Sequence, residues 1–178
     1  MIVARTLRKI ETVRLRLRRI WCRWYQTNLA RARARHCGRN LRVNGPSRFT
    51  SHCSFGNNCN FNGMTVRGKG TVVFGNNFHS GENCRIITQN HNYDHGTALP
   101  YDATYVLKTV TIGDNVWFGD CVLVVGNVTI GEGAILAAGA VVSKDVPACA
   151  IVAGNPARIV KYRDRGHYEA LKGGTNRD

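Results

Sequence analysis

A repeat of six residues dominates this 178-residue sequence. From residue 112 onward an apolar residue returns at every sixth position, and a small residue follows it in most hexads. The leading residues are Ile112, Phe118, Val124, Ile130, Leu136 and Val142. Four places after each leader comes a second apolar residue, at Val116, Val122, Val128, Ala134, Ala140 and Val146, and Val152 continues this series. A strict period of six is not the period of a helix, so it indicates an internal structural repeat.

An earlier block of the chain follows the same rule. Its hexads are led by Phe49, Phe55 and Phe61, with Cys53, Cys59 and Thr65 at the fifth positions, and after a slip of one residue by Phe74, Ser80 and Ile86, with Phe78 and Cys84 inside. Each hexad predicts a short strand and a turn, with both apolar residues directed into a narrow core. Three hexads close one triangular coil, and coils stack as parallel ladders about 4.8 Å apart. We therefore expect an all-β parallel solenoid of about five coils.

Three segments carry a family resemblance. They are Ile112-Gly-Asp-Asn-Val-Trp117-Phe-Gly, Gly139-Ala-Val-Val-Ser-Lys144-Asp-Val-Pro147 and Ala153-Gly-Asn-Pro-Ala-Arg158. The chain resembles the hexapeptide-repeat acyltransferases over about residues 43–163, most of all the galactoside, maltose, xenobiotic and polysaccharide O-acetyltransferases. The resemblance implies a left-handed parallel β-helix that forms a homotrimer. Left-handedness comes from the resemblance alone, because ordinary chirality rules favour right-handed crossovers.

The repeat fails between Ile86 and Ile112, which predicts an external loop over about residues 90–109. This segment concentrates imidazole, carboxylate and phenol groups: His91, His95, Asp94, Asp102, Tyr93, Tyr101 and Tyr105. Such groups can transfer protons near neutral pH. From the residues alone, a histidine here is either catalytic or surface decoration.

The resemblance assigns a role to one of these histidines. Asn90-His91 resembles the family segment with the catalytic histidine, which implies that His91 is the general base. It would remove the proton from an acceptor hydroxyl that attacks the thioester of acetyl-CoA. A positioned base contributes about 10²–10⁴-fold to such a reaction. Asp94 or Asp102 is the candidate to orient His91, and His95 is expected to lie at the surface.

The resemblance also implies contacts with acetyl-CoA, the acyl donor. They fall on Trp117, Asp120, Ala138, Ser143, Lys144, Arg158 and Lys161. Arg158 and Lys161 would contact phosphate groups of the donor, although a solvated basic surface is the alternative interpretation of both. Trp117 is alternatively a structural corner residue. No metal site is expected: the seven cysteines show no CxxC spacing, and a buried filler role is predicted for Cys53, Cys59 and Cys84.

The acceptor side is predicted from four residues: Asn60, Asn90, Tyr93 and Asp94. Arg67-Gly-Lys-Gly70 stands where the sugar acetyltransferases have an acid, so an anionic glycan or glycolipid fits better than a simple galactoside or maltose. The leading hypothesis is O-acetylation of a sugar hydroxyl in a cell-envelope polysaccharide or its lipid-linked precursor. The alternatives are O-acetylation of a xenobiotic such as an antibiotic, and a non-catalytic β-helix scaffold.

The charge is concentrated at one end of the chain. Residues 1–42 hold thirteen arginines and lysines and one acid, or +12 of the net +14. Val3, Leu7, Ile10, Val13, Leu17, Ile20 and Trp24 follow helical spacing within this segment. We therefore expect a basic amphipathic helical segment at 1–42, the acyltransferase domain at 43–163 and a C-terminal tail at 164–178.

Three interpretations of the basic segment stay open. The helix packs across the end of the solenoid or on a neighbouring protomer, or residues 1–36 lie on an anionic membrane. The third, nucleic-acid binding, is the weakest because no recognition motif accompanies the charge. No apolar run reaches the length of a membrane span, and arginines interrupt any signal-peptide pattern. The expected location is the cytoplasm, at the inner face of the membrane if the helix binds lipid.

Overall fold

The structure, a computed structural model, describes residues 2–174, with the side chains of residues 2–10, 13 and 174 outside the description. Val3, Leu7, Ile10 and Val13 of the predicted apolar stripe therefore lie outside the described side chains. Two helices flank a β-solenoid, α1 (Ile2–Arg33) before it and α2 (Arg165–Gly174) after it.

The strands of the solenoid form three faces of a triangular prism. Face 1 contains β1 (His36–Cys37), β3 (Cys53–Phe55), β6 (Val72–Phe74), β11 (Val110–Ile112) and β14 (Val128–Ile130). Face 2 contains β2 (Arg42–Val43), β4 (Asn60–Phe61), β7 (His79–Ser80), β12 (Trp117–Phe118), β15 (Ile135–Leu136) and β17 (Ala150–Ala153). Face 3 contains β5 (Met64–Arg67), β8 (Cys84–Ile87), β13 (Leu123–Val125) and β16 (Val141–Val142).

Every neighbouring pair within these faces is parallel, so the predicted parallel solenoid is confirmed. Face 2 stacks six parallel strands, which makes about six coils where the sequence predicted about five. The additional coil comes from β1 and β2, whose hexads are too irregular to be recognised from the sequence and lie in the segment assigned to the basic helix. β18 (Arg158–Tyr162) closes face 2 by pairing antiparallel with β17.

The hexad residues form the core as predicted. All the leaders and fifth positions from residue 110 to 152 are buried, and in the earlier coils Phe49, Phe55, Phe61, Phe74 and Phe78 pack as an aromatic column that reaches Phe118. Thr65 is the exception, because it is half-buried on the outside of β5. Met64 and Val66 take the core positions there, since the turn before β5 is one residue shorter than the repeat predicts.

The corner between faces 1 and 2 is built on asparagine. Asn40, Asn58, Asn77 and Asn115 all have φ between 54 and 58°, a left-handed conformation that asparagine tolerates better than most residues. Their side-chain amides bond from coil to coil at 2.9–3.0 Å. Asn115 then donates to the Tyr168 hydroxyl of α2, so the C-terminal helix caps this ladder.

The cysteines of the early coils are packing residues. Cys53, Cys59 and Cys84 are buried at matching core positions, which confirms the predicted filler role. Burial raises the pKa of the Cys59 and Cys84 thiols to about 11, so neither is a reactive thiolate at neutral pH.

Helix α1 contacts the first coil through its C-terminal half. Ala30 is buried, and the Thr27 hydroxyl accepts a hydrogen bond from the Val43 amide at 3.0 Å. Further towards the N-terminus the apolar residues are exposed: Leu17, Ile20, Trp21 and Trp24. Within residues 2–174 no helix combines the length and the hydropathy that crossing a membrane requires.

Candidate active site

The external loop leaves the solenoid at the corner between faces 3 and 1, directly after β8. It begins as β9 (Gln89–His91) and returns as β10 (Tyr105–Leu107), and the two strands pair antiparallel with His91 opposite Tyr105. The Lys108 amide donates to the Thr88 carbonyl at 2.8 Å and closes the neck of the loop. His91 is therefore attached to the rigid ladder through a short hairpin.

The imidazole of His91 lies between two tyrosine rings. Tyr101 stacks on it with ring centroids 3.6 Å apart and an interplanar angle of 19°, and Tyr105 lies 4.7 Å away at 39°. The Nδ1 atom is buried and has no hydrogen-bond partner among the described residues. Both rings restrict the imidazole, which is the kind of constraint that a positioned base needs.

The sequence places Tyr101 and Tyr105 in the loop but does not predict this stack. The available signal was the segment Tyr105-Val-Leu107, whose aromatic and branched residues favour a strand. A returning strand places one of its side chains directly across from His91.

The carboxylate of Asp102 holds the loop and does not orient His91. It accepts hydrogen bonds from the backbone amides and the hydroxyls of Thr97 and Thr104. These bonds, above all the one from the Thr104 hydroxyl, lower the pKa of Asp102 to about 2. Asp94, the other candidate, is exposed, and neither acid hydrogen-bonds to His91 within residues 2–174.

A basic turn packs against the neck of the loop. Arg67 and Lys69 are exposed, and the Lys69 amide donates to Gln89 Oε1 at 3.1 Å. Two glycines allow this contact: a Cβ on Gly68 would lie 2.7 Å from the Gln89 Cβ, and one on Gly70 would lie 2.0 Å from the Lys108 carbonyl oxygen. The turn is thereby fixed two residues from His91.

Three of the predicted donor contacts come together on one cavity. Ser143, Lys144 and Arg158 line a cavity of about 380 Å³. Ser143 and Lys144 follow β16 at the corner between faces 3 and 1, the same corner from which the external loop leaves two coils earlier. Two cations at one cavity suit a ligand that carries phosphate groups.

The other predicted donor contacts lie on or beside face 2. Trp117 is exposed on β12, and Lys161 lies on β18 opposite Ile151 of β17. Asp120 and Ala138 follow β12 and β15 at the corner between faces 2 and 3. Asp120 Oδ1 accepts a hydrogen bond from the Glu82 amide at 2.7 Å, so its side chain holds the corner together. Within one chain, face 3 separates these residues from His91.

The predicted acceptor contacts are also divided. Asn60 lies on face 2, where its side-chain oxygen accepts from the Asn44 amide group at 2.7 Å. Asn90 precedes His91 in β9, so strand alternation directs its side chain to the opposite side of the hairpin. Tyr93 and Asp94 are exposed in the loop just beyond His91. No three His, Cys, Asp or Glu side chains in the described part of the chain are grouped as metal ligands.

Comparison with known proteins agrees with this fold. Residues 109–144 match the family model described as bacterial transferase hexapeptide (six repeats). The galactoside O-acetyltransferase of Escherichia coli K12 is 33% identical over 138 residues, which cover 74% of this chain and 66% of that protein. A solved galactoside acetyltransferase in complex with coenzyme A is 30% identical, with a TM-score of 0.64 over 74% of this chain and 67% of that one.

The chain belongs to the hexapeptide-repeat acyltransferase family. Its fold is the left-handed parallel β-helix of these enzymes, as the family resemblance implied. A hexapeptide-repeat acetyltransferase of Vibrio cholerae, solved in complex with acetyl-CoA, is 26% identical with a TM-score of 0.63 over 76% of this chain and 74% of that one. The chain spans about half to two thirds of the length of the curated relatives it matches.

Proposed function

We propose that this protein transfers an acetyl group from acetyl-CoA to a hydroxyl of a sugar, with His91 as the general base. The observation that carries the proposal is the His91 imidazole held between Tyr101 and Tyr105 at the neck of the external loop. Membership of the hexapeptide-repeat acyltransferases supports it, and so do the relatives solved with acetyl-CoA or CoA.

The proposed reaction needs one base and one ester-forming step. His91 Nδ1 is enclosed, so Nε2 is the nitrogen that takes the proton from the acceptor hydroxyl. The hydroxyl oxygen attacks the thioester carbonyl carbon, the C–S bond breaks, and the proton leaves with the thiol of CoA. The products are an acetyl ester and free CoA, and no oxidant or metal enters the balance.

The donor cavity is proposed to hold the charged part of acetyl-CoA. Lys144 and Arg158 supply two cations, and Ser143 a hydroxyl, around a space of about 380 Å³. Arg158 donates to the Ala157 carbonyl at 3.0 Å, which fixes one guanidinium nitrogen and leaves the others for phosphate oxygens.

A homotrimer would complete the site. Trp117, Asp120, Ala138, Lys161 and Asn60 lie on or beside face 2, while His91 and Lys144 lie at the corner between faces 3 and 1. In a threefold assembly of triangular prisms, face 2 of one protomer can meet that corner of its neighbour. The division of the predicted residues within one chain supports this arrangement.

The acceptor is proposed to be an anionic glycan of the cell envelope or its lipid-linked precursor. Arg67 and Lys69 are exposed beside the neck, and no carboxylate forms a salt bridge with either within the described residues. The test is incubation with acetyl-CoA and a panel of acidic glycans, neutral sugars and hydroxylated antibiotics, with products followed by mass spectrometry. We expect one added acetyl group on acidic glycans, and faster turnover of neutral sugars or antibiotics would contradict this acceptor.

Helix α1 is proposed to hold the enzyme at the inner face of an anionic membrane. Leu17, Trp21 and Trp24 are exposed on a helix that carries many arginines, and Trp21 is 63% exposed. The test is cosedimentation with vesicles containing phosphatidylglycerol. We expect Trp21→Ser with Leu17→Ser to weaken binding, and unchanged binding in that double variant would refute this contact.

A further inference from the structure

A groove between α1 and the solenoid is lined by arginines that the proposed reaction does not use. One part of it, about 490 Å³, lies between helix residues 20–31 and the first coil, and includes Arg23, Arg31 and Arg42. The adjoining part, about 420 Å³, includes Arg16 and Arg19 and reaches Glu82. Arg23 and Ile20 line both parts, so the two parts adjoin and are treated together as the groove.

Helical spacing places these arginines on a single side of α1. Arg16, Arg19, Arg23 and Arg31 follow one another at intervals that keep residues on one helix face, with Thr27 in the same row. Thr27 is bonded to the Val43 amide, which shows that this row faces the solenoid. Arg42 completes the groove from the opposite wall. Four arginines of the helix and Arg42 therefore line the same groove.

The cations of the groove lack matching acids. None of the five arginines has a carboxylate within 4.0 Å in the part of the chain whose side chains are described. Glu82, at the far end, is the acid among the lining residues. Arginines at neighbouring helical positions repel one another when no anion lies between them. An anionic ligand would remove this repulsion.

We propose that the groove binds a phosphate-bearing ligand, either a lipid headgroup or a free phosphate or pyrophosphate compound. One guanidinium group can bind two oxygens of a phosphate at once. Three guanidinium groups, those of Arg23, Arg31 and Arg42, line the same space. Trp24 and Leu41 line the same space and offer apolar contact to the remainder of the ligand. This site is separate from the donor cavity, which lies at the opposite end of the solenoid beside β16 and β18.

Inorganic pyrophosphate is the first probe, titrated calorimetrically into the full-length protein. We expect binding that Arg23→Gln with Arg42→Gln weakens by about tenfold or more, because charge-assisted contacts are lost. The matched control is Arg35→Gln with Arg39→Gln, which removes the same charge from exposed positions outside the groove. The control is expected to bind as the unmodified protein does, and circular dichroism confirms that both variants are folded.

Vesicles distinguish the two sources of phosphate. Binding to phosphatidylglycerol vesicles, lost in the groove variant and retained in the control, identifies a lipid headgroup. Pyrophosphate binding that the groove variant loses, with vesicle binding retained in that variant, identifies a free phosphate compound. An equal loss in both variants would show diffuse charge attraction and overturn the proposal, as would the failure of both probes to bind. Acetyl transfer is measured separately, so neither result depends on the proposed reaction.

Discussion

The regular coils and the external loop use similar polar residues in opposite ways. In the coils, the side-chain oxygens of Asn57, Asn76 and Asp114 accept hydrogen bonds of 2.7–2.8 Å from backbone amides of the preceding coil. Their hydrogen bonds are committed to the solenoid. In the loop, Asp102 holds the loop itself, while the buried Nδ1 atom of His91 stays without a partner among the described residues.

The contrast shows how a repeat fold can carry a candidate active site. A solenoid satisfies its polar groups from coil to coil, so its regular part offers a rigid frame and few free reactive groups. Where the repeat is interrupted, the external loop places imidazole, phenol and carboxylate groups outside the coils, at the corner between faces 3 and 1. The frame then positions them, because the neck is closed by Lys108 and Thr88 and packed against Gly68 and Gly70.

The largest effect on the frame is expected from Phe61→Ala. Phe61 is fully buried and packs against four other phenylalanine rings, with ring centroids 5.0–5.4 Å apart. Truncation leaves a cavity, so the free energy of unfolding should fall by about 3–5 kcal/mol. Denaturant unfolding measures this loss. At a temperature low enough for the variant to remain folded, we expect it to keep its rate of acetyl transfer. A large fall in that rate would contradict the separation of the solenoid coils from the chemistry of the loop.

A smaller effect is expected from Tyr101→Leu. Without the stack the imidazole is no longer held in one position, so kcat should fall between about twofold and about tenfold. The free energy of unfolding should fall by no more than the about 0.5–1.5 kcal/mol that such a stack contributes, well below the loss in Phe61→Ala. The matched control is Leu99→Ala, whose side chain is 94% exposed in the same loop. Equal kcat values for the two variants would show that the stack does not position His91.

The smallest effect is expected from the titration of Asp102. Its pKa of about 2 lies below the ordinary 3.8, so its bonds to Thr97 and Thr104 are fully present above about pH 4. They are lost as pH falls through about 2. Carbon-13 NMR of the carboxyl group should give that low midpoint, and Asp102→Asn should speed amide exchange at Thr97 and Thr104 near neutral pH. An ordinary midpoint would show that the loop is not held this way.

The sequence was sufficient to predict the solenoid coils wherever the hexads are regular. Period, core residues and the loop follow from packing rules that act within one coil, and the structure confirms them from Val110 to Val152. The first coil was missed because β1 and β2 carry few of the repeat's apolar residues. The misplacement of Thr65 has a similar cause: a short turn and the longer Gly68–Gly70 turn offset each other, and the repeat shows only their sum.

The site was less predictable than the frame. His91 could be named, but its neighbours depend on how the loop folds back, which no local pattern determines. Tyr105 reaches His91 through an antiparallel register, and Tyr101 through the conformation that Asp102 holds. The donor residues follow the same logic: Lys144 and Arg158 meet at one cavity only because β18 turns back along β17.

Thiol release from acetyl-CoA in His91→Ala tests whether the external loop performs the chemistry while the solenoid coils only support it. His95→Ala is the matched control, since it removes an exposed imidazole from the same loop. With an accepted glycan present, we expect His91→Ala to slow release by about 10²–10⁴-fold while the control and both unfolding midpoints stay unchanged. Release in folded His91→Ala at the rate of the control would contradict the account.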